Sequence, residues 1–338
     1  MSFKERSDGY IWDCGFQELS IETNAVLFEW RASEYFTFWD MAVDSWTDWT
    51  GTVDDPWDWF HLNSVEKDRH GNYLISARYT NAVTYLSGRN GRPFWHLGGL
   101  QNSFRDASEG NATRFVDPHM ARWVKGGVGK SLTLFDNIDI NTIDKDRQQS
   151  RGVIINVDFG SRVAKVASTF AHPEGFFARS EGSIQQTSKD SFLVGYGSVP
   201  AYTEYSADGS CICDTHFAPT SSGLSTEAVQ TYRIMKNAWT GYPTQLPKVY
   251  NTWEALYVSW NGATEVRYWS LDGRSGFRQQ AQHYVHIGKF NRQSFETKIT
   301  LPHLDDYTSF RLSALDETGA PLGMWFIGHD GLVKVRSS

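Results

Sequence analysis

Between residues 61 and 119 four side chains have the types and spacing to hold and transfer an anionic group. His61 and Asn63 stand two apart in the stretch Asp54-Asp55-Pro56-Trp57-Asp58-Trp59-Phe60-His61-Leu62-Asn63-Ser64-Val65. In an extended chain they project to the same side. There an imidazole and an amide would hold an anionic or phenolic oxygen, although a lone histidine on a strand also serves as a satisfied structural residue. Arg78, in Ile75-Ser76-Ala77-Arg78-Tyr79, follows an apolar run and is expected at the end of a strand. A guanidinium placed there binds sulfate or phosphate bidentately, or makes a surface salt bridge. His119, in Phe115-Val116-Asp117-Pro118-His119-Met120-Ala121-Arg122-Trp123, follows a proline that interrupts regular pairing. It is expected at the start of a strand, partly exposed, as a nucleophilic or general-base histidine requires. Three positions on, Arg122 would face the other side of an ideal strand.

Other stretches carry less. Lys125-Gly126-Gly127-Val128-Gly129-Lys130-Ser131 ends like a phosphate loop, but Val124 stands where the pattern needs glycine, and no strand–loop–helix frame surrounds it. Nucleotide binding is therefore rejected. Asn111-Ala112-Thr113 is a glycosylation acceptor motif, which matters only for a secreted chain. Cys211 and Cys213 would share one face of a strand and are expected to be ordinary buried thiols. Three cysteines make neither a disulfide framework nor a metal site, and no cofactor is expected.

The elements that must position these residues are strands. Short apolar runs flank polar turns with glycine, as in Asp68-Arg69-His70-Gly71-Asn72-Tyr73-Leu74-Ile75-Ser76 and Tyr205-Ser206-Ala207-Asp208-Gly209-Ser210-Cys211-Ile212. Asp, Asn and Gly supply the turn conformations, while alternation puts one face of each strand into a core. Hairpins at roughly 20-residue spacing would give about 40 residues per four-stranded blade, the propeller period. A β-sandwich could be built from the same hairpins. The expected fold is all-β, an incomplete or shortened β-propeller over 9–245, with 31–50 as a long loop or short helix. After Pro243–Pro247 the texture changes. Residues 249–338 are expected to form a fibronectin-III-like β-sandwich, with Tyr307 one residue away from the corner tyrosine of such modules.

Composition excludes several function classes. Aromatic residues make up 15% of the 338, with 14 tryptophans, which is far from a disordered chain. The net charge of −7 is spread along the sequence without a basic block, so a nucleic-acid partner is not expected. No apolar run approaches the ~20 residues of a membrane span. The first residues, Met1-Ser2-Phe3-Lys4-Glu5-Arg6, lack the apolar core of a secretory signal.

Several motifs together resemble the arylsulfotransferase-like family, in its fungal branch. They are Gly9-Tyr10-Ile11-Trp12-Asp13, Gln17-Glu18, Leu27-Phe28-Glu29-Trp30-Arg31 and Asp55 through Val65, followed by Trp95-His96-Leu97-Gly98-Gly99, Leu134-Phe135-Asp136-Asn137, Glu181-Gly182-Ser183 and Ser259-Trp260-Asn261-Gly262-Ala263-Thr264-Glu265. They run in family order along nearly the whole chain. The resemblance implies a six-bladed propeller whose funnel binds aryl sulfates and phenols. It also implies transfer of a sulfuryl group between phenols, without a nucleotide donor, through a transiently sulfated histidine. By local motif His119 matches that nucleophile, His61 and Asn63 the oxygen-binding pair, and Arg78 the sulfate-clamping arginine. Tyr79, a further substrate-binding candidate, stands where bacterial relatives have a histidine. Family members, commonly secreted, carry a long region before the position of Gly9, with early blades and another active-site histidine. The expected partners are a small-molecule aryl sulfate and a phenol. A non-catalytic binding or scaffold propeller, or a natural-product enzyme using the same funnel for another reaction, are the alternatives.

Overall fold

The computed structural model describes residues 9–42, 49–137, 149–188, 190–219, 229–252, 254–275, 283–301, 306–328 and 333–334. The chain divides into two compact units, Met1–Lys236 and Asn237–Ser338. Both are built of strands. Two short 3-10 segments, Ala32–Glu34 and Phe38–Asp40, lie in the stretch expected as a loop or short helix. Residues 43–48 of that stretch lie outside the described residues. No helix among the described residues is long and apolar enough to cross a membrane.

The first unit opens with β1 (Ile11–Trp12), the hairpin β2 (Gly15–Leu19) and β3 (Val26–Arg31), and β4 (Trp57–Asp58), which pairs in parallel with β1. Three four-stranded antiparallel meanders follow. The first runs through β5 (Leu62–Lys67), β6 (Tyr73–Ala77), β7 (Ala82–Leu86) and β8 (Pro93–Gly98). After β9 (Arg105–Asp106), the second runs through β10 (Val116–Trp123), β11 (Ser131–Asn137), β12 (Arg151–Asp158) and β13 (Val163–Ala171), with β9 added in parallel at its outer edge. The third is β14 (Ser183–Ser188), β15 (Ser191–Gly195), β16 (Ala201–Ser206) and β17 (Cys211–His216).

These hairpins form where short polar side chains complete the turns. Asp68 Oδ1 accepts the backbone N–H groups of His70 and Asn72, and Gly71 takes the left-handed conformation that the turn needs. Asp208 and Gly209 repeat the device before β17. The meanders begin at Leu62, Val116 and Ser183, farther apart than the expected 40-residue repeat, because long connections precede the second and third and another separates β11 from β12 within the second.

Each sheet packs its faces against its neighbours in sequence order. Trp30, Phe16 and Phe28 of the opening hairpin cover Tyr73 and Ile75 of the first meander. Its other face, through Leu74, Val83, Trp95 and Leu97, packs on Ala121, Trp123, Leu132 and Leu134 of the second. The second meets the third through Phe135, Phe170, Ile184, Phe192 and Tyr205. The first strand of the second meander, β10, approaches β5 and β6 on one side and β14 on the other. First strands therefore converge while the sheets fan outward, which is a propeller-like arrangement.

β17 is the outer strand of the third meander, and Cys211 and Cys213 on it are exposed. The expectation of buried thiols fails because an edge strand has no further sheet over it. A bulge between the pairs Glu204↔Cys213 and Tyr205↔Cys211 also breaks the alternation on which that expectation rested.

In the second unit, β18 (Lys248–Asn251), β19 (Ala255–Ser259) and β22 (Glu296–Thr300) form one sheet in the order β18-β19-β22. β20 (Tyr268–Ser275), β21 (Val285–Asn291), β23 (Tyr307–Leu315), β24 (Pro321–Gly328) and β25 (Val333–Lys334) form the other, in the order β21-β20-β23-β24-β25. Leu256, Val258 and Ile299 of the first sheet share a core with Trp269, Leu271, Phe310, Leu312 and Trp325 of the second.

Glycines allow the second and third meanders to meet closely, Gly182 most tightly against an aromatic ring. Gly182 has φ +101, and a Cβ there would sit 2.3 Å from the Phe135 ring. Gly182→Ala combines a disfavoured backbone with overpacking against a buried aromatic ring. It should cost about 2–4 kcal/mol, read as a lower denaturation midpoint of the full chain in urea.

Candidate active site

β10 is an irregular strand, and its irregularity builds the site. Asp117 and Met120 have φ values of 47 and 51, and the ladder with β11 skips between Val116, His119 and Arg122. Left-handed backbone at non-glycine residues costs energy and persists only where surroundings enforce it. Here the backbone groups released by the bulges find side-chain partners. Asn63 Nδ2 donates to the Pro118 carbonyl at 2.7 Å. The N–H groups of Ala121 and Trp123 donate to Ser64 Oγ and Glu66 Oε2, at 3.0 and 2.7 Å. The Asp117 N–H donates to Asn81 Oδ1 at 2.7 Å.

His119 thus lies inside a strand, not at its start, and it is 2% exposed where partial exposure was expected. The alternation that would send Arg122 to the opposite face cannot be counted through a bulge. The imidazole Nδ1 lies 2.9 Å from both the Asp117 carbonyl and Asn137 Oδ1. Asn137 Nδ2 donates to the Ala178 carbonyl, which turns its oxygen toward the ring. Two acceptors require the proton on Nδ1, so the neutral ring keeps its lone pair on Nε2. Burial, aided by the proximity of Arg78 and His61, pushes the imidazole pKa down to about 4 against the opposing pull of those two hydrogen bonds.

Arg78 lies directly after β6. Its Nε donates to Asp117 Oδ2 at 3.0 Å, and its Nη2 to the Arg179 carbonyl at 3.3 Å. Burial works against the guanidinium charge, but Asp117, Tyr79 and Asp58 outweigh it and hold the pKa above its ordinary value. The Tyr79 ring is buried, with the Arg78 guanidinium over it, 5.4 Å from its centroid, and the His61 ring edge-on to it at 5.3 Å.

His61 does not follow the strand-face reasoning. It has φ 54 and precedes β5, and a bulge separates Leu62 from Ser64, so spacing by two does not put His61 and Asn63 on one face. What fixes His61 is its backbone carbonyl, which accepts the Arg78 N–H at 3.0 Å, and a direct hydrogen bond from Nδ1 to buried Asp58. Asn63 is held internally. Its Oδ1 accepts from Ser76 Oγ at 2.6 Å while its amide nitrogen reaches Pro118. His61, Arg78 and His119 are thus neighbours, joined by the Arg78 N–H to the His61 carbonyl and by Asp117, which binds both Arg78 and His119, while Asn63 supports the strand that carries His119.

Further groups there escaped sequence reasoning. Tyr232 packs edge-on to His119, with 6.0 Å between centroids. Arg233 donates from Nη2 to the Asn63 carbonyl at 2.6 Å. Both belong to a segment bound to the third meander, where the Ile234 N–H donates to Ser183 Oγ and the Lys236 N–H to Gln185 Oε1. Nothing local in Gln230-Thr231-Tyr232-Arg233 marks it. Glu181, with φ 65, has its carboxyl pushed above the usual range by burial, and its Oε2 is enclosed without a hydrogen-bond partner. Asp58, Asn137 and Glu181 each sit within a motif that carried the resemblance, so position, but not role, was signalled.

Other candidates resolve differently. His172, Asp214 and His216 gather ligand atoms within 4.8 Å of one another. Yet His172 Nδ1 accepts the Glu174 N–H, so the neutral ring carries its proton on Nε2 and directs it at Asp214 Oδ1, 3.0 Å away. That nitrogen offers a proton, not a lone pair, and the trio is a poor metal cage. The stretch Lys125–Ser131 spans the turn between β10 and β11, with no helix after it. Asn111 lies in a turn, where its side-chain amide donates to the Ser108 carbonyl.

Residues 1–218 match the family described as Arylsulfotransferase (ASST). The chain belongs to that family. No curated protein matches. Similar solved structures include a protein of unknown function from Bacteroides caccae, at 12% identity and TM-score 0.33, covering 96% of this chain and 90% of that one. Virginiamycin B lyase from Staphylococcus aureus is 7% identical at TM-score 0.29, covering 82% of this chain and 85% of its own. A β-propeller domain from Myceliophteria thermophila is 10% identical at TM-score 0.29, with 94% and 78% covered. At such TM-scores the propeller-like arrangement rests on this chain's own sheets.

The state of His119 has a thermodynamic consequence. Between about pH 6.5 and pH 4 the unfolded ring binds a proton that the folded ring refuses. Unfolding then takes up protons, so this group's contribution is full above about 6.5 and is lost as pH falls toward 4. His119→Gln should flatten the rise of stability with pH across that window by up to one proton, measured from urea midpoints at stepped pH.

Proposed function

We propose that this protein transfers a sulfuryl group between phenolic small molecules through His119, without a nucleotide donor. The observation that carries the reading is the tautomer of His119, a neutral imidazole with its Nδ1 proton engaged and its lone pair on Nε2. An attacking Nε2 forms the N–S bond as the S–O bond to the aryl group breaks, and the phenolate leaves. An acceptor phenol then attacks the same sulfur and restores the imidazole. Arg78, held by Asp117 and the Arg179 carbonyl, has further N–H groups to aim at sulfuryl oxygens, where charge grows in the transition state. His61 is assigned to the bridging phenolic oxygen, Tyr79 to packing against His61 and Arg78, and Asn63 to shaping the strand beneath the nucleophile. Membership of the arylsulfotransferase family supports this assignment. The fungal branch remains part of the same proposal, as does a fibronectin-III-like second unit, which the three-plus-five strand arrangement supports.

Incubation with 4-nitrophenyl sulfate and excess phenol should release nitrophenolate, and the His119 peptide should carry a sulfuryl mass shift before phenol is added. His119→Ala should abolish both. Arg78→Ala should slow turnover by about 10²-fold or more. Since Nε2 stays unprotonated down to about pH 4, the acid limb of kcat/KM due to the nucleophile should lie near 4, not near 6.5. Phenol binding by a folded protein that never acquires the mass shift would instead support a non-catalytic binding module.

A further inference from the structure

We propose that Asp58 is a positioning residue that makes His61 the general acid–base of the transfer, an inference that rests on the sulfuryl-transfer reading. Asp58 ends β4, which is held against β1 by the pairs Ile11↔Trp57 and Trp12↔Asp58. It is 5% exposed and flanked by the buried Trp57 and Trp59. A carboxylate in such apolar surroundings needs a compensating partner. Among the described residues its ion pair is with His61, and the thiol of Cys14 reaches its other oxygen at 4.0 Å.

The pair is directional. A carboxylate can only accept, so the Nδ1 of His61 must carry a proton and donate it to Asp58. In the neutral ring the lone pair is then on Nε2. In the protonated ring Nε2 carries an acidic hydrogen, and Asp58 balances the charge. The His61 side chain is 32% exposed, whereas that of Asp58 is 7% exposed, so the carboxylate sits behind the ring, away from solvent. Tyr79 closes one side, and the backbone bond to Arg78 fixes the ring's base. The same imidazole chemistry is thus set differently at two histidines. Backbone and amide oxygens at His119 favour a neutral nucleophile, and a carboxylate at His61 suits an imidazole that gains and loses a proton.

The transfer needs that proton. A phenol ionises near pH 10, so an ordinary aryl leaving group requires a proton and an ordinary acceptor must lose one. In the donor half-reaction, His119 Nε2 bonds to sulfur as the aryl S–O bond breaks, and His61 Nε2–H protonates the departing oxygen. In the acceptor half-reaction, the acceptor oxygen bonds to sulfur as the N–S bond breaks, and His61 Nε2 takes the acceptor's proton. One proton passes from acceptor to leaving phenol, and none is consumed. Among the described residues, the charged or titratable groups next to His61 are Asp58 from β4, which it bonds, Tyr79 beyond β6, packed edge-on, Arg78, whose N–H its carbonyl accepts, and His119 on β10. Cys14 from the β1–β2 connection lies beside Asp58, and Asp117 on β10 is paired to Arg78.

Asp58→Asn tests this, because an amide can donate to Nδ1 and so favours the opposite tautomer. Single-turnover sulfation of His119 from phenyl sulfate should slow by about 10²-fold or more. From 4-nitrophenyl sulfate, whose leaving group needs little protonation, it should slow by less than about 3-fold. The pH optimum for phenyl sulfate should shift. In a His61→Gln background Asp58→Asn should add almost nothing. Equal slowing with both donors, or additive effects in the double variant, would show that Asp58 serves folding alone. If Asp58→Asn fails to fold by circular dichroism, His61→Gln decides through the same comparison of donors, and donor-independent slowing overturns the proposal. Wild-type protein that never forms sulfohistidine would overturn the transfer reading and this inference with it, an outcome distinct from donor-independent slowing in an active enzyme.

Discussion

Everything at the site depends on β10 being unable to complete its own ladder. Asp117 and Met120 are left-handed, and Pro118 has no N–H to give. A buried strand in that state would leave backbone groups unpaired, at a cost comparable to lost hydrogen bonds. The partners come from β5 and its surroundings, through Asn63, Ser64, Glu66 and Asn81. Each of these bonds runs between two meanders rather than within one. They therefore fix how the first strands of neighbouring sheets lie against each other, in addition to holding the bulges. His119 is the residue between the two bulges, and its placement follows from that cross-sheet bonding.

Asp117 then links the nucleophile candidate to the cation. Its backbone carbonyl accepts from His119 Nδ1, and its carboxylate accepts from Arg78 Nε. One bulged residue thus sets the tautomer of the histidine and the direction of the guanidinium. The electrostatics agree with this coupling. Burial opposes charge on both groups, and it wins at His119, where only neutral acceptors face the ring. It loses at Arg78, where a carboxylate lies at 3.0 Å. A neutral nucleophile beside a fixed cation is the arrangement that transfer of an anionic group requires.

The sequence was informative where structure is local. Strand content followed from turn chemistry, because Asp68 and Asp208 act within their own hairpins. Arg78 stands at a strand end, as the apolar run before it indicated. Period-two reasoning failed at His61 and Cys213, and each of these lies beside a bulge. A bulge adds a residue without changing composition, so alternation cannot reveal it. The burial of His119 was equally hidden, because a neighbouring sheet and Tyr232, 113 positions later in the chain, produce it. Asp58, Asn137 and Glu181 lay inside recognisable motifs, yet their partners depend on a fold that brings distant segments together.

The segment carrying Tyr232 and Arg233 has a mechanical consequence as well. Consecutive packing secures each meander only to its neighbours, so a fan of sheets can open at its first strands without breaking any single sheet. Residues 231–236 oppose that opening. Their bonds to Gly197, Ser183 and Gln185 hold them to the third meander, and Arg233 reaches the Asn63 carbonyl of the first at 2.6 Å. The bond from Arg78 to the Arg179 carbonyl crosses the same gap. Both crossing bonds are made by guanidinium groups that stand around the candidate nucleophile. Among the described residues, these two arginines therefore join the first meander to the segments leading into and bound to the third, and each acts beside a residue of the candidate site, Arg78 on Asp117 and Arg233 on Asn63.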